Sequence, residues 1–295
     1  MRGVVTAGMV VALEQLDLVD SFDRVYGCSA GATNGAYLVA GQAALGTTIY
    51  YENLNTGEFI NPWAWLRGKP VVDLDFLLSE VMTRAKPLDT RRVMASPVAL
   101  RIVATNADTA EREIISDIDT EDDLLAALTA SVTLPVIAGS PRAFKGRRYV
   151  DAMLSETVPV PTAEDDGCTH ILALATRPRD FVPPKPSWFE RAFIAPRLRK
   201  ESPALASRYN ERWQRDEDLF AHLYRHRSPS GRAEVLLVLA DGPPVGKFER
   251  SRRQLVAGAS RGMAAALAEL APGRYVVRET LAAFGPDGHR VVVRD

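Results

Sequence analysis

The fold depends on the stretch Gly27-Cys28-Ser29-Ala30-Gly31, which follows the pattern G-x-S-x-G. Residues 23–26 before it predict a short β-strand, and residues 30–39 after it predict a helix. A serine in this pattern lies on a sharp turn from strand to helix, and the flanking glycines avoid a Cβ clash there. The stretch therefore predicts a nucleophile elbow with Ser29 as the candidate nucleophile, although a simple Gly/Ser turn also fits the pattern.

The rest of the chain alternates predicted helices with short apolar strands. Helical spacing of apolar residues extends over 5–18 and 249–270, and buried strands are predicted at 98–105 and 235–240. Strands separated by helices are typical of a parallel sheet that is covered on both faces. We therefore predict an α/β fold, a three-layer α/β/α sandwich with a mostly parallel central sheet, in a single domain over 1–295.

The composition is that of an ordinary globular protein. The 295 residues are 46% hydrophobic and 25% charged, which allows one domain with a substantial core. The formal net charge of −1 gives no general attraction to nucleic acid, so no nucleic-acid partner is expected. Cys28 and Cys168 do not make a disulfide framework, which favours a reducing compartment. With no signal peptide at its start and no apolar run of membrane-spanning length, the chain is expected to be cytoplasmic, with at most peripheral membrane contact.

A histidine is the usual partner of such a serine. In an α/β-hydrolase the serine follows several strands, and the acid and the histidine come later in the chain. Here Ser29 follows one short strand, and the chain has four histidines: His170, His222, His226 and His289. None of them lies in a recognisable motif, so a Ser-His esterase remains an open alternative.

A carboxylate could also act on the serine directly. Asp151 follows the β-prone residues 147–150 and so stands where a strand enters a loop. The ends of strands are where a sheet presents catalytic groups, which favours a Ser-Asp dyad. An aspartate that closes a strand as an Asx-turn is the alternative.

Four segments, taken in order, resemble the landmarks of bacterial patatin-like phospholipases. Residues 1–9 resemble the end of the family's glycine-rich oxyanion loop and the helix after it, and residues 25–36 resemble its elbow. Residues 130–135 resemble its A-S-x-x-x-P segment, and residues 149–152 stand where the family has its aspartate motif. The resemblance covers roughly the first 180 residues, and four ordered landmarks are far more specific than one.

This resemblance implies a lipid acyl hydrolase that works through an acyl-enzyme intermediate. The implied catalytic dyad is Ser29 and Asp151, and the substrate is a lipid or a small ester. The implied supporting residues are Arg2, Gly3 and Ala30 at the oxyanion hole, and Gly27 and Gly31 at the elbow. No metal or organic cofactor is expected, because no His/Cys cluster has metal-ligand spacing and no loop resembles a P-loop.

Two departures from the family pattern affect these expectations. The family's loop reads G-G-G-x-R/K-G, and Met1 occupies the x, so the resemblance implies that a strand and glycines precede it. Without those donors the rate would fall by about 10²–10³, and a non-catalytic binding module on the same scaffold becomes the alternative. Ala152 replaces the glycine after Asp151, at a cost of about 1 kcal/mol if the turn needs a positive φ.

The segment 181–226 differs in composition from the rest. Prolines open it, and aromatic rings then alternate with cations: Trp188, Phe189, Phe193, Arg191, Arg197 and Arg199. Rings beside cations are typical of a lipid interface, which predicts a cap or docking helix near the site with transient membrane contact. A helix that packs its aromatic side on the core is the alternative.

Overall fold

The computed structural model describes residues 1–272 apart from Val136, Asp180 and Phe189, together with the backbone of 275–277 and 291–293. The helices are α1 (Val4–Gln15), α2 (Ala30–Val39), α3 (Ala43–Glu52), α4 (Leu74–Phe76), α5 (Thr90–Ala95), α6 (Glu121–Val132), α7 (Val160–Asp165), α8 (Ala195–Glu201), α9 (Pro203–Leu223) and α10 (Arg252–Leu270). The strands are β1 (Arg24–Cys28), β2 (Ala99–Asn106), β3 (Arg112–Ile114), β4 (Arg142–Phe144), β5 (Arg147–Val150), β6 (His170–Ala175), β7 (Glu234–Leu239), β8 (Tyr275–Val277) and β9 (Val291–Val293).

The longest strand pairings are parallel. β1 pairs with β2 over five residues, from Arg24 with Ala99 to Cys28 with Val103, and β6 pairs with β7 over six residues. The short strands β3 and β5 pair antiparallel to β2, and β4 pairs antiparallel to β5. The predicted α/β fold with a mostly parallel central sheet is confirmed. The short antiparallel strand β3 lies on the edge of β2 opposite β1, and β5 follows β1 along the same edge.

β6 and β7 pair as a separate two-stranded sheet, and helices cover both of its faces. Along β6, Leu172 and Leu174 pack against the core cluster that contains α1 and α10, whereas Ala173 and Ala175 pack with α9. This alternation follows from the two-residue period of a strand, which points successive side chains to opposite faces. The arrangement gives the three layers that the alternating sequence pattern predicts.

The helix α1 lies in the core and fixes the start of the chain against the sheet. Its residues from Val4 to Leu13 are all buried. α1 packs so closely on α10 that a Cβ at Gly8 would lie 1.9 Å from the carbonyl oxygen of Ala259, and a Cβ at Gly262 would lie 1.9 Å from that of Val5. Only glycine allows this approach, which holds the first residues of α1 in a fixed place.

The segment 181–226 forms a π-helical turn over Glu190–Ile194, followed by α8 and α9. Trp188 is 76% exposed and Phe193 is 39% exposed, so these two rings do not pack in the core. No helix in the described part of the chain is both long enough and apolar enough to cross a membrane.

Candidate active site

Ser29 lies at the junction of β1 and α2 in a strained backbone conformation, with φ 53° and ψ −128°. Such a φ is uncommon for a residue with a side chain and is typical of functional sites. A Cβ at Gly27 would lie 2.3 Å from the Cα of Ala32, so the turn requires glycine there. A Cβ at Gly31 would meet nothing within 4 Å, so the predicted steric reason for Gly31 is wrong. Its missing side chain instead leaves open space beside the serine.

The side chain of Ser29 is bonded to Asp151. Ser29 Oγ donates a hydrogen bond to Asp151 Oδ2 at 2.8 Å. The other carboxylate oxygen, Oδ1, accepts the N–H of Met153 at 2.9 Å, and the N–H of Asp151 itself donates to the carbonyl of Thr133 at 2.8 Å. With both carboxylate oxygens and its own N–H engaged, Asp151 is held in one orientation toward the serine.

Asp151 is 4% exposed, and this burial raises the pKa of its carboxyl group to about 6. The hydrogen bonds from Met153 and Ser29, and then the positive charges of Lys247 and Arg2, oppose the increase. A pKa near 6 leaves the group mainly ionised at neutral pH and close to the range that suits a general base.

Ala152 does not strain the turn after Asp151. It begins a short 3₁₀-helix over Ala152–Leu154, and it is not among the residues with positive φ. The alanine in place of the family's glycine therefore carries no left-handed backbone cost.

Ser131 on α6 links the elbow to β2 by hydrogen bonds. The N–H of Ser29 donates to Ser131 Oγ at 3.1 Å, and Ser131 Oγ donates to the carbonyl of Val103 at 2.6 Å. Thr105 on β2 makes a similar contact on the other side, where its Oγ1 donates to the carbonyl of Asp151 at 3.0 Å. The sequence marks Ser131 as the serine of the segment 130–135 that resembles A-S-x-x-x-P, but it does not predict this contact, and Thr105 lies in an apolar strand without a motif.

The first residues of α1 and α2 meet beside the serine. A Cβ at Gly3 would lie 2.5 Å from the Cβ of Ala30, so Gly3 and Ala30 are in close contact. The carbonyl of Gly3 accepts from Asn34 Nδ2 at 2.9 Å and from Thr6 Oγ1 at 3.0 Å, and Asn34 Oδ1 accepts from the hydroxyl of Tyr50 at 2.9 Å. The starts of α1 and α2 therefore lie side by side next to Ser29, and the N–H groups of Val4 and Val5 are bonded to the carbonyls of Met1 and Arg2.

A cavity of about 570 Å³ opens over these residues, and Ser29, Asp151, Arg2 and Gly3 all line it. Its apolar wall comes mainly from α1 to α4 and the loops between them, and includes Leu13, Leu38, Ile49, Leu54, Ile60 and Leu74. Residues of the segment 181–226 also line it, among them Pro183, Trp213 and Phe220. In the part of the chain that the structure describes, no group of three or more His, Cys, Asp or Glu residues could hold a metal ion.

The described histidines have ring contacts away from the serine. His170 begins β6 and lines the cavity, but its Nδ1 lies 3.0 Å from Thr169 Oγ1. The Nδ1 atoms of His222 and His226 lie near backbone carbonyls. His289 lies outside the described residues. Among the residues described, the hydrogen-bond partner of the Ser29 side chain is therefore a carboxylate.

Ser29 lies on a strained turn between a strand and a helix, and a buried carboxylate accepts its hydrogen bond. The chain is therefore an α/β protein with a candidate nucleophile elbow. A family model described as patatin-like phospholipase matches residues 1–164, more than half of the chain. The chain therefore belongs to the patatin-like phospholipase family, which confirms the resemblance found in the sequence.

Three curated relatives share parts of this chain. The uncharacterized protein YjjU of Escherichia coli (strain K12) is 27% identical over 64% of this chain and 53% of its own length. The patatin-like phospholipase domain-containing protein 5 of Mus musculus is 29% identical over 48% of this chain and 32% of its own length. The 1-acylglycerol-3-phosphate O-acyltransferase Pnpla3 of Mus musculus is 26% identical over 32% of this chain and 23% of its own. The chain thus spans about half the length, or less, of these relatives.

Asn34 holds the start of α1 to α2 and α3, so its removal tests how the site is supported. We expect Asn34→Ala to lower the free energy of unfolding by about 3 kcal/mol, since three buried hydrogen bonds contribute about 1 kcal/mol each. Urea unfolding measures this. Asn210→Ala is the matched control, because Asn210 Oδ1 is buried with no hydrogen-bond partner among the described residues. Equal losses for the two variants would show that the bonds of Asn34 do not stabilise the site.

Proposed function

We propose that this chain hydrolyses carboxylic esters of lipids, with Ser29 as the nucleophile and Asp151 as the group that takes its proton. The observation that carries the proposal is the 2.8 Å hydrogen bond from Ser29 Oγ to Asp151 Oδ2 at a strained strand-to-helix turn. Membership of the patatin-like phospholipase family supports a lipid substrate.

In the first step Ser29 Oγ attacks the acyl carbonyl carbon while its proton moves to Asp151 Oδ2. The carbonyl oxygen becomes an oxyanion, which needs hydrogen-bond donors fixed in advance. The backbone N–H groups of Gly3 and Ala30, at the N-termini of α1 and α2, are the proposed donors. Arg2 lines the same cavity and adds positive charge beside them.

In the second step the tetrahedral intermediate collapses and the bond to the leaving alcohol breaks. Asp151 returns the proton to that alcohol, and the acyl group remains as an ester on Ser29. Water then attacks this ester and gives its proton to Asp151. The fatty acid leaves, and Ser29 recovers its proton from Asp151, which restores the starting state.

The cavity supports an acyl chain as the part of the substrate that is buried. Its volume of about 570 Å³ lies in the range of small-molecule sites, and many of its lining residues are apolar. A non-catalytic lipid-binding module on the same scaffold is the second candidate function. The hydrogen bond between Ser29 and Asp151 favours catalysis over binding alone. A module that only binds an apolar chain does not need a carboxylate to activate a serine.

We treat 1–295 as one acyl hydrolase domain, with 181–226 as its cap. The same proposal includes contact between this cap and a lipid surface. Arg197 lies 5.4 Å from the ring of Trp65 and donates to the carbonyl of Phe193 at 2.8 Å. The rings of Phe193 and Trp188 lie 6.4 Å apart. We call Trp65, Trp188, Phe193 and Arg197 the aromatic face. Exposed rings beside a cation fit the headgroup level of a membrane.

The dyad is tested by removing each partner. We expect Ser29→Ala to abolish labelling by a fluorophosphonate and to lower kcat by at least about 10³-fold. We expect Asp151→Asn to lower kcat by about 10²–10⁴-fold, since an amide cannot take the proton. Initial rates on a short-chain p-nitrophenyl ester, with circular dichroism to verify the fold, measure both effects. Ser116→Ala, at an exposed serine, is the matched control.

Replacing each histidine in turn tests the alternative of a Ser-His esterase. If any of His170→Gln, His222→Gln, His226→Gln or His289→Gln were as inactive as Ser29→Ala, a Ser-His mechanism would replace the dyad. Retained labelling of Ser29→Ala would show that another residue is the nucleophile.

The raised pKa of Asp151 predicts the pH dependence. The carboxylate is the active form, so kcat/KM should rise with pH, level off above the pKa of about 6, and fall about tenfold per pH unit below it. Lys247→Gln should move the midpoint to higher pH, because the charge of Lys247 lowers the pKa of Asp151. Lys86→Gln, at a lysine paired with Glu52, should leave the midpoint in place. A profile that stays flat through pH 6 contradicts Asp151 as the base.

The aromatic face is tested by vesicle binding. We expect the double variant Trp188→Ala with Phe193→Ala to weaken binding to phosphatidylcholine–phosphatidylserine vesicles by about tenfold, which is about 1.4 kcal/mol. Co-sedimentation measures the bound fraction. Met94→Ala, at an apolar side chain that is 41% exposed on α5, is the control. Unchanged binding of the double variant would remove the aromatic face from the proposal.

A further inference from the structure

Three cations converge on the cavity that contains Ser29. Arg177 lies two residues beyond the end of β6, Lys247 lies in the connection from β7 to α10, and Arg2 precedes α1. All three line the cavity. Ligands of open α/β sheets bind outside the carboxyl ends of strands, and Ser29 and Arg177 closely follow the ends of β1 and β6. Lys247 reaches the same cavity from the loop after β7.

In the part of the chain that the structure describes, no carboxylate lies within salt-bridge distance of Arg2, Arg177 or Lys247. In contrast, Arg212 on the same cavity wall pairs with Glu190 at 2.6 Å. The Arg177 guanidinium lies instead over an aromatic ring, 4.0 Å from the centroid of Phe181.

The wall as a whole carries more positive than negative charge. Its cations are Arg2, Arg24, Arg177, Arg212 and Lys247, and its carboxylates are Asp151, Glu190 and Asp216. Arg24 pairs with Asp166 at 3.3 Å and Arg212 with Glu190 at 2.6 Å, which leaves Arg2, Arg177 and Lys247 with Asp151 and Asp216. These two carboxylates offset part of the remaining charge, so the wall near Ser29 keeps a net positive charge.

Holding like charges together away from water costs free energy. Desolvation lowers the pKa of Arg177 to about 10, and the nearby charge of Arg2 adds to the effect. Lys247 reaches solvent at the rim, yet desolvation and then Arg2 lower its pKa. Arg177 remains protonated at neutral pH, so a bound anion would offset a cost that the free protein carries.

We propose that Arg177 and Lys247, together with Arg2, form a subsite for a phosphate group carried by the acyl ester. Phosphate fits better than carboxylate, because its several terminal oxygens can accept from cations that approach from different elements. The same charges disfavour a headgroup that ends in a quaternary ammonium. The preferred substrate is therefore an acylglycerol phosphate whose phosphate carries no compensating cation. This assignment rests on the proposed function, since its ester must reach Ser29.

The test compares two esters with the same acyl chain, 1-oleoylglycerol and 1-oleoylglycerol 3-phosphate. We expect the wild type to show a higher kcat/KM for 1-oleoylglycerol 3-phosphate than for 1-oleoylglycerol. We expect Arg177→Gln to lower the ratio of these two kcat/KM values by at least about tenfold. Losing one charge-assisted hydrogen bond to the phosphate is enough to produce a change of this magnitude. Arg179→Gln removes the same charge from an exposed position two residues away and should leave the ratio unchanged. A ratio that is equal in the wild type and in Arg177→Gln overturns the subsite.

Binding without turnover separates this proposal from the proposed function. Calorimetric titration of Ser29→Ala with glycerol 3-phosphate should show binding that weakens at least about tenfold when Arg177→Gln is added. If the wild type hydrolyses neither ester but this binding is seen, the proposed function fails and the subsite stands. If glycerol 3-phosphate binds more tightly than inorganic phosphate, the site recognises a lipid headgroup, as proposed. If inorganic phosphate binds equally tightly, the site binds a free anion and the headgroup assignment is wrong. If the affinity for glycerol 3-phosphate does not depend on Arg177, or no binding is detected, the subsite is refuted.

Discussion

The hydrogen bond between Ser29 and Asp151 joins residues 122 positions apart, and the strand β2 makes it possible. Both β1 and β5 lie along the same edge of β2, because β3 occupies the other edge: Val103 pairs with Cys28 and Ile114, and Thr105 pairs with Val150 and Arg112. Continuing each register by one residue brings both Ser29 and Asp151 to the position beside Ala104, where the ends of β1 and β5 meet. A shift of one residue in either pairing would turn these side chains to the other face. The register of β2 therefore fixes the dyad.

The site holds several groups in states that would be unfavourable elsewhere. Ser29 has a positive φ, and a buried carboxyl faces it with its pKa raised by desolvation. The surrounding structure offsets these costs, because Ser131, Met153 and Asn34 supply hydrogen bonds to the elbow, the carboxylate and the start of α1. Strain of this kind persists only where many contacts fix the backbone. The cavity adds a further cost through its excess of positive charge, which a bound anion would relieve.

Sequence reasoning found the parts of the site that have local patterns. The elbow, the helix over 30–39 and the position of Asp151 after a strand follow from motif and periodicity, and the structure places them together. The resemblance of 130–135 to A-S-x-x-x-P marked Ser131, but its hydrogen bond to the elbow was not predicted, because it depends on a partner in another element. Sequence reasoning also assigned Gly31 a steric role that the structure does not support, because the space above that glycine is open. A sequence shows which residues need special backbone geometry, but not what surrounds them.

The sequence by itself determined the α/β class, the family and the candidate nucleophile, because these are carried by short-range periodicity and by motifs with fixed spacing. Only the tertiary structure decided that a carboxylate rather than a described histidine contacts Ser29. It alone also brought Arg2, Arg177 and Lys247 to one cavity wall. Each of these depends on strand register and on loops that meet at one end of the sheet. Contacts between residues far apart in the chain leave no periodic signal, so they emerge only when the chain is folded.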